Sequence, residues 1–128
     1  MTADDIYGAA LALMTESREK AKGYADKVVP LVNLLLVTAY PAEQALRRAR
    51  GHPALSGFAQ IETEGEEIGY QPDLLAECFP YGLVGMLILD DDTGKANYFN
   101  SMFDAALQKY SPTDFEPVTD AVGGTGDG

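Results

Sequence analysis

The stretch LVGMLILDDDTGKANYFN, Leu83 to Asn100, decides the fold of this chain. It runs from an apolar block straight into Asp90, Asp91 and Asp92, followed by Thr93 and Gly94. As a strand ending in Asp-x-Asp it would match the nucleophile motif of some phosphoryl-transfer enzymes. Asp-Thr-Gly would suit an aspartic protease, and the clustered carboxylates a divalent cation. As the end of one helix and the start of the next, the same residues are packing and capping.

Periodicity on both sides favours helix. Upstream, Leu75, Cys78, Phe79, Gly82, Leu83, Met86 and Leu89 recur at helical spacing, whereas a strand would have to begin after Pro80. Downstream, Ala96, Phe99, Met102, Phe103, Ala106, Leu107 and Tyr110 form the cleanest amphipathic stripe in the chain. The enzymatic readings fail in detail. Gly94 stands where the phosphatase motif needs threonine, the only later lysines are Lys95 and Lys109, and too few residues follow to complete such a domain. A protease of this kind is almost wholly strand. An EF-hand loop with Gly94 sixth would start at Leu89 and end at Asn100, neither of them a carboxylate. The aspartates are therefore expected to cap the next helix and favour its positive N-terminus, with Gly94 easing the turn.

Working outward, Thr2 with Asp5 three residues on reads as a helix N-cap, and Ile6, Ala9, Ala10, Leu13 and Met14 share one face. Val28, Leu31, Leu35 and Leu36 mark a second stripe, with Pro30 a first-turn residue or a kink and Pro41 a restart. Gly51 and Pro53 end it. The expected fold is an all-α bundle of about four main helices over 2–17, 24–50 (bent), 72–90 and 92–110. Residues 52–71 are weakly periodic and carry the acidic run ETEGEE, so they are expected to form a loop with at most a minor strand element near 58–63. Residues 1–110 are expected to form a single helical domain, and the Pro-, Gly- and Asp-rich stretch 111–128 to be extended or disordered.

Length and charge narrow the function. The 128 residues suffice for one core, and 9 Lys and Arg against 20 Asp and Glu give a net charge of −11. Such a balance repels phosphate backbones and anionic membranes, so tight nucleic-acid binding is not expected. The single cysteine, Cys78, precludes an intramolecular disulfide and points to a reducing compartment. The N-terminus MTADDIYGAA lacks signal-peptide character, and the run Val28 to Tyr40 falls short of the ~20 residues a membrane span needs, so a cytoplasmic location without membrane contact is expected.

No constellation carries chemistry. His52 and Cys78 are each alone, too few for a nucleophilic dyad with its orienting group or for a zinc site. GGTGDG at the end of the chain has no helix after it to cradle a phosphate. Arg47, Arg48 and Arg50 form the only basic cluster and read as a solvated helix face. No catalytic, cofactor-binding or metal-binding residue, no cofactor and no small-molecule substrate are expected.

A family likeness can be set on these residues. YQPDLLAECFPYGLVGMLILDDDTGKANYFNSMFDAALQKY resembles the C-terminal helical hairpin of small head-tail connector, or adaptor, proteins of tailed bacteriophages and prophages. In those proteins a PYGLA-like helix leads through an Asp-rich turn to an ANYFN-like helix start. DIYGAALALM and PLVNLLLVTAYP are similar to the same proteins, so the likeness spans Thr2 to about Tyr110. The resemblance implies a structural subunit that self-associates into a ring and contacts portal or tail proteins, in the host cytoplasm during assembly and then in the virion. An acidic wall suits a conduit that must pass DNA without holding it. Two other classes stay open: a cytoplasmic helical interaction module or regulator, and a small enzyme whose pocket forms between subunits.

Overall fold

A computed structural model describes residues 1–16, 18, 21–58 and 60–110. These residues form helices and no strand, the all-α class expected. The expectation for 111–128 lies outside the described residues. Helix α1 spans Ala3–Leu13, α2 Lys22–Ala25, α3 Val28–Arg50, α4 Pro72–Leu87 and α5 Thr93–Lys109.

α1 opens on the capping box foreseen at Thr2 and Asp5. The Asp5 N–H donates to Thr2 Oγ1 at 3.1 Å, and the Thr2 N–H to Asp5 Oδ2 at 2.9 Å. It ends at Leu13, four residues short of the expected 17. Thr15 takes a left-handed φ of 53°, and the Glu16 N–H reaches back to the Leu11 carbonyl at 2.9 Å. This is a Schellman closure without glycine, so the sequence carries no stop signal.

The second helix also departs from 24–50. The chain first makes the single turn α2, then restarts at Val28. This start puts Pro30 in the first turn, where its missing N–H has no intrahelical partner to lose. α3 then runs unbroken through Pro41 for 23 residues instead of restarting there. Pro41 is exposed, which leaves the Val37 carbonyl it cannot serve open to water. Gly51, at φ 74°, closes the helix while the His52 N–H bonds to the Arg47 carbonyl at 2.8 Å.

α4 and α5 form an antiparallel hairpin and the most closely packed pair. α4 begins on Pro72 and stops at Leu87, before the expected 90, because the chain turns at Ile88. The N–H groups of Asp91 and Asp92 both donate to the Ile88 carbonyl, at 2.9 and 2.8 Å. Two glycines set the spacing. A Cβ on Gly82 would lie 2.7 Å from Leu35 Cδ2 of α3 and 2.9 Å from Phe103 Cδ1 of α5, and one on Gly85 would collide with Asn100. α4 can therefore sit against both neighbours at once. Phe79 fills the centre, fully buried and edge-to-face with Phe103 of α5 and Tyr70 of the connecting segment.

Residues 52–71 lie along α3 and the start of α1 with one isolated bridge, Thr2 to Glu67, in place of a strand. Their hold is side chain to backbone. Asn33 Nδ2 donates to the Ile61 carbonyl at 3.0 Å while its Oδ1 accepts from the Ile61 N–H at 2.9 Å. Gln44 does the same to Leu55, at 2.8 and 2.9 Å. Each amide thus imitates one rung of a β-ladder from the side of a helix.

Candidate functional site

The aspartates that opened the question lie in the turn between α4 and α5, all three exposed. Asp92 is the N-cap of α5, its Oδ1 accepting from the Lys95 N–H at 3.0 Å. Asp91 accepts from the Tyr24 hydroxyl at 3.0 Å, which ties the hairpin turn to α2. Burial, then the bond to Asp91, pushes the Tyr24 phenol up from its ordinary value. A small cleft of about 140 Å³ borders Asp91, Asp92 and Lys95. Among the described residues no group of three His, Cys, Asp or Glu is placed to hold a metal ion. The turn is built by the helix cap its sequence suggested, at Asp92, and by a tyrosine tether at Asp91 that the sequence did not suggest.

Cys78 and His52 are not brought together. Cys78 has no exposed surface within the core of α4, and burial pushes its thiol up to about 12, so it stays protonated and unreactive at neutral pH. His52 sits exposed just past the end of α3.

The arginines depart from the solvated face expected of them. Glu43 is fully buried, and Arg47 Nε donates to its Oε2 at 2.6 Å. The other carboxylate oxygen accepts from the Gln71 N–H at 3.0 Å. Arg47 also donates to the carbonyls of Gly69 at 2.7 Å and Pro53 at 3.1 Å, so one guanidinium closes both ends of the connecting segment onto α3. Arg50 grips Asp73 with two nitrogens, at 3.1 and 2.6 Å. Only Arg48 of the cluster makes no ion pair among the described residues. Glu43 and Arg47 stand four residues apart, the spacing of a helix-surface pair; nothing local shows that the pair is buried and serves a distant loop.

α3 is long and apolar enough, by length and composition alone, to cross a membrane, beyond what its run to Tyr40 suggested. In this fold Val32, Leu35, Leu36 and Ala39 pack into the core. Asn33, Gln44, Glu43 and Arg47 bond to the segment after it.

Two apolar surfaces are left open. The first is a cleft of about 600 Å³ between α1, α4 and α5, whose lining includes Ala9 and Leu13 of α1, Ala76 and Pro80 of α4, and Met102 and Ala105 of α5. Its ionisable groups are Glu77, Tyr81 and Lys109 at the wall. The second lies on α3, where Leu34 is 55% and Val37 42% exposed; Phe58, itself 42% exposed, packs edge-to-face on Tyr40 of the same helix. Apolar side chains exposed to this degree on a helix whose opposite face is already buried form a contact surface without a partner among the described residues. The sequence stripe assigned to this helix included Leu35 and Leu36 and left out Leu34 and Val37, which helical spacing puts on the opposite face. Comparison with known proteins finds no matching family model, no matching curated protein and no matching solved structure.

Proposed function

We propose that this chain is a structural subunit of virion assembly, part of the head-tail connector of a tailed phage or prophage, and not an enzyme. The observation that carries the reading is the hairpin of residues 70–110, whose PYGLVG and ANYFN stretches bear the family likeness. Those stretches hold Gly82, Gly85 and Asn100, the close contacts between α4 and its neighbours. Two further features support it. A net charge of −11 suits the wall of a channel that DNA must traverse, and the engagement of Arg47 and Arg50 by Glu43 and Asp73 ties up two of the three clustered arginines that could meet phosphates. The two open apolar surfaces suit a protein whose partners are other proteins. In this reading the chain assembles in the host cytoplasm, joins a ring with portal or tail proteins, and ends in the virion.

The test is to mix the purified chain with the portal and tail proteins encoded beside its gene and to follow co-sedimentation, with a parallel titration against duplex DNA at moderate salt. Association with a portal or tail assembly and no shift of the duplex are expected. Tight, salt-sensitive duplex binding, or failure to join any of those assemblies, would overturn the reading.

A further inference from the structure

We propose that the acidic stretch following α5 docks on its own chain, with Phe115 entering the cleft between α1, α4 and α5. Residues 111–118 are the segment involved, and the contact is independent of any larger assembly the chain joins.

The exit point places it. α5 ends at Lys109 with Tyr110 as its C-cap, and Lys109 itself lines the cleft. The described residues therefore end at the mouth of the cleft, with residues 111–128 still to follow. Pro112, two residues past the cap, lacks the N–H that would extend the helix. The lining runs back along α5 from Lys109 to Met102, about 10 Å at the helical rise of ~1.5 Å per residue. From Ser111 to Phe115 an extended chain covers about 13 Å at ~3.3 Å per residue, enough to carry the ring to Pro80 and Met102.

Side-chain chemistry matches the two. Phe115 is the only aromatic residue after Tyr110, and a cleft of about 600 Å³ presenting Ala9, Pro80 and Ala105 has room for its ring. Pro117 biases Glu116 towards extended backbone, in which Asp114 and Glu116 point away from the side that Phe115 takes. The ring goes in while both carboxylates stay in water. The cleft carries one charge of each sign, Glu77 and Lys109. Glu77 faces Tyr110, whose phenol is pushed up first by burial and then by that carboxylate. Lys109 makes no ion pair among the described residues and stands at the entry. The stretch 111–128 holds Asp114, Glu116, Asp120 and Asp127 and no base, so it offers partners to Lys109 and none to Glu77.

Tethering selects this occupant over a separate molecule. A segment joined to the chain beside the cleft meets it at an effective concentration in the mM range, which a second copy reaches only at that bulk concentration. One ring buries little area, so the contact is weak and reversible. A protein that uses the cleft has to displace Phe115, and its affinity falls in proportion to the fraction of chains whose cleft is open.

The experiment attaches a nitroxide to the full chain at Thr119→Cys, with the buried native Cys78 silent to the label, and reads the broadening of amide signals. Loss of signal is expected at Ala9 and Leu13 of α1 and Ala76 of α4, unchanged on dilution, while Asn33 and Gln44 of α3 keep theirs. Adding Phe115→Ser should restore most of the lost signal, with circular dichroism unaltered as the control for folding. Broadening confined to α5 near Tyr110, as the tether alone produces, would overturn the proposal. So would broadening that survives Phe115→Ser. Broadening seen only between labelled and unlabelled copies would also overturn it, giving the cleft to a neighbouring chain. Failure to join a portal or tail assembly would sink the connector reading and leave each of these outcomes unchanged.

Discussion

The hairpin α4–α5 and the segment that precedes it, residues 52–71, are held to the same core by different forces. The hairpin is packed: Phe79, Leu83 and Phe103 interdigitate, and two glycines let the backbones close in. The segment is tied: among its described residues only Ile61, Ile68 and Tyr70 are buried apolar side chains, while Asn33, Gln44, Glu43 and Arg47 of α3 reach across to its backbone. Apolar packing follows a period that any window of sequence displays. Side-chain-to-backbone bonds between positions 11 to 28 residues apart follow no local period, so they exist only once the helix and the loop have been placed.

The largest expected effect removes the side chain that both regions share. Phe79→Ala should cost about 3–5 kcal/mol, because the cavity opens between Phe103 of the hairpin and Tyr70 of the segment. Urea denaturation would measure it, with both regions unfolding together. A cost below about 1 kcal/mol would mean that the two regions do not share a core.

Glu43→Ala should separate them. It leaves the half-buried Arg47 without its carboxylate and the Gln71 N–H without an acceptor, at a cost of about 3 kcal/mol, the low end for a broken buried pair because Arg47 keeps two carbonyl partners. Hydrogen exchange should speed at Gln71, His52 and Ile61, with the amides of α5 changing least. Uniform acceleration across the chain would show the segment to be as integral to the core as the hairpin. Gln44→Ala acts on one rung alone. It should cost about 1–2 kcal/mol, since the partly buried N–H of Leu55 loses its acceptor while the Leu55 carbonyl keeps the Tyr40 hydroxyl at 3.3 Å, and exchange should rise at Leu55 while Ile61 stays protected by Asn33.

The smallest effect lies at the joint between the regions, where Arg50 at the end of α3 meets Asp73 at the start of α4. The hydrogen bond from Arg50 holds the Asp73 carboxyl below the usual carboxylate range. A lowered folded pKa means that the pair's contribution is present above the ordinary carboxylate value of about 4 and is lost as pH falls through the lowered one. Both side chains are partly exposed, so the contribution is that of a screened surface pair. The denaturation midpoints of the parent chain and Asp73→Asn should therefore differ slightly at neutral pH and converge below about pH 4. A gap that persists unchanged into acid would locate the effect elsewhere.

Charge, helical class, the capping box at Thr2 and Asp5, the glycine stop at Gly51 and the role of Asp92 as a helix cap were all legible in the sequence. Each depends on residues within about one helical turn of each other, the range over which spacing and capping chemistry act. Tertiary structure alone decided the rest. It buried Glu43 so that a helix-surface pair became the clamp of a distant loop, and used Asn33 and Gln44 as rungs for a segment without a strand. It also turned Leu34 and Val37 outward while their neighbours Leu35 and Leu36 went in. The physical reason is common to all three: an apolar or polar residue in a helix shows which face it shares, but which face is covered depends on elements that arrive from elsewhere in the chain.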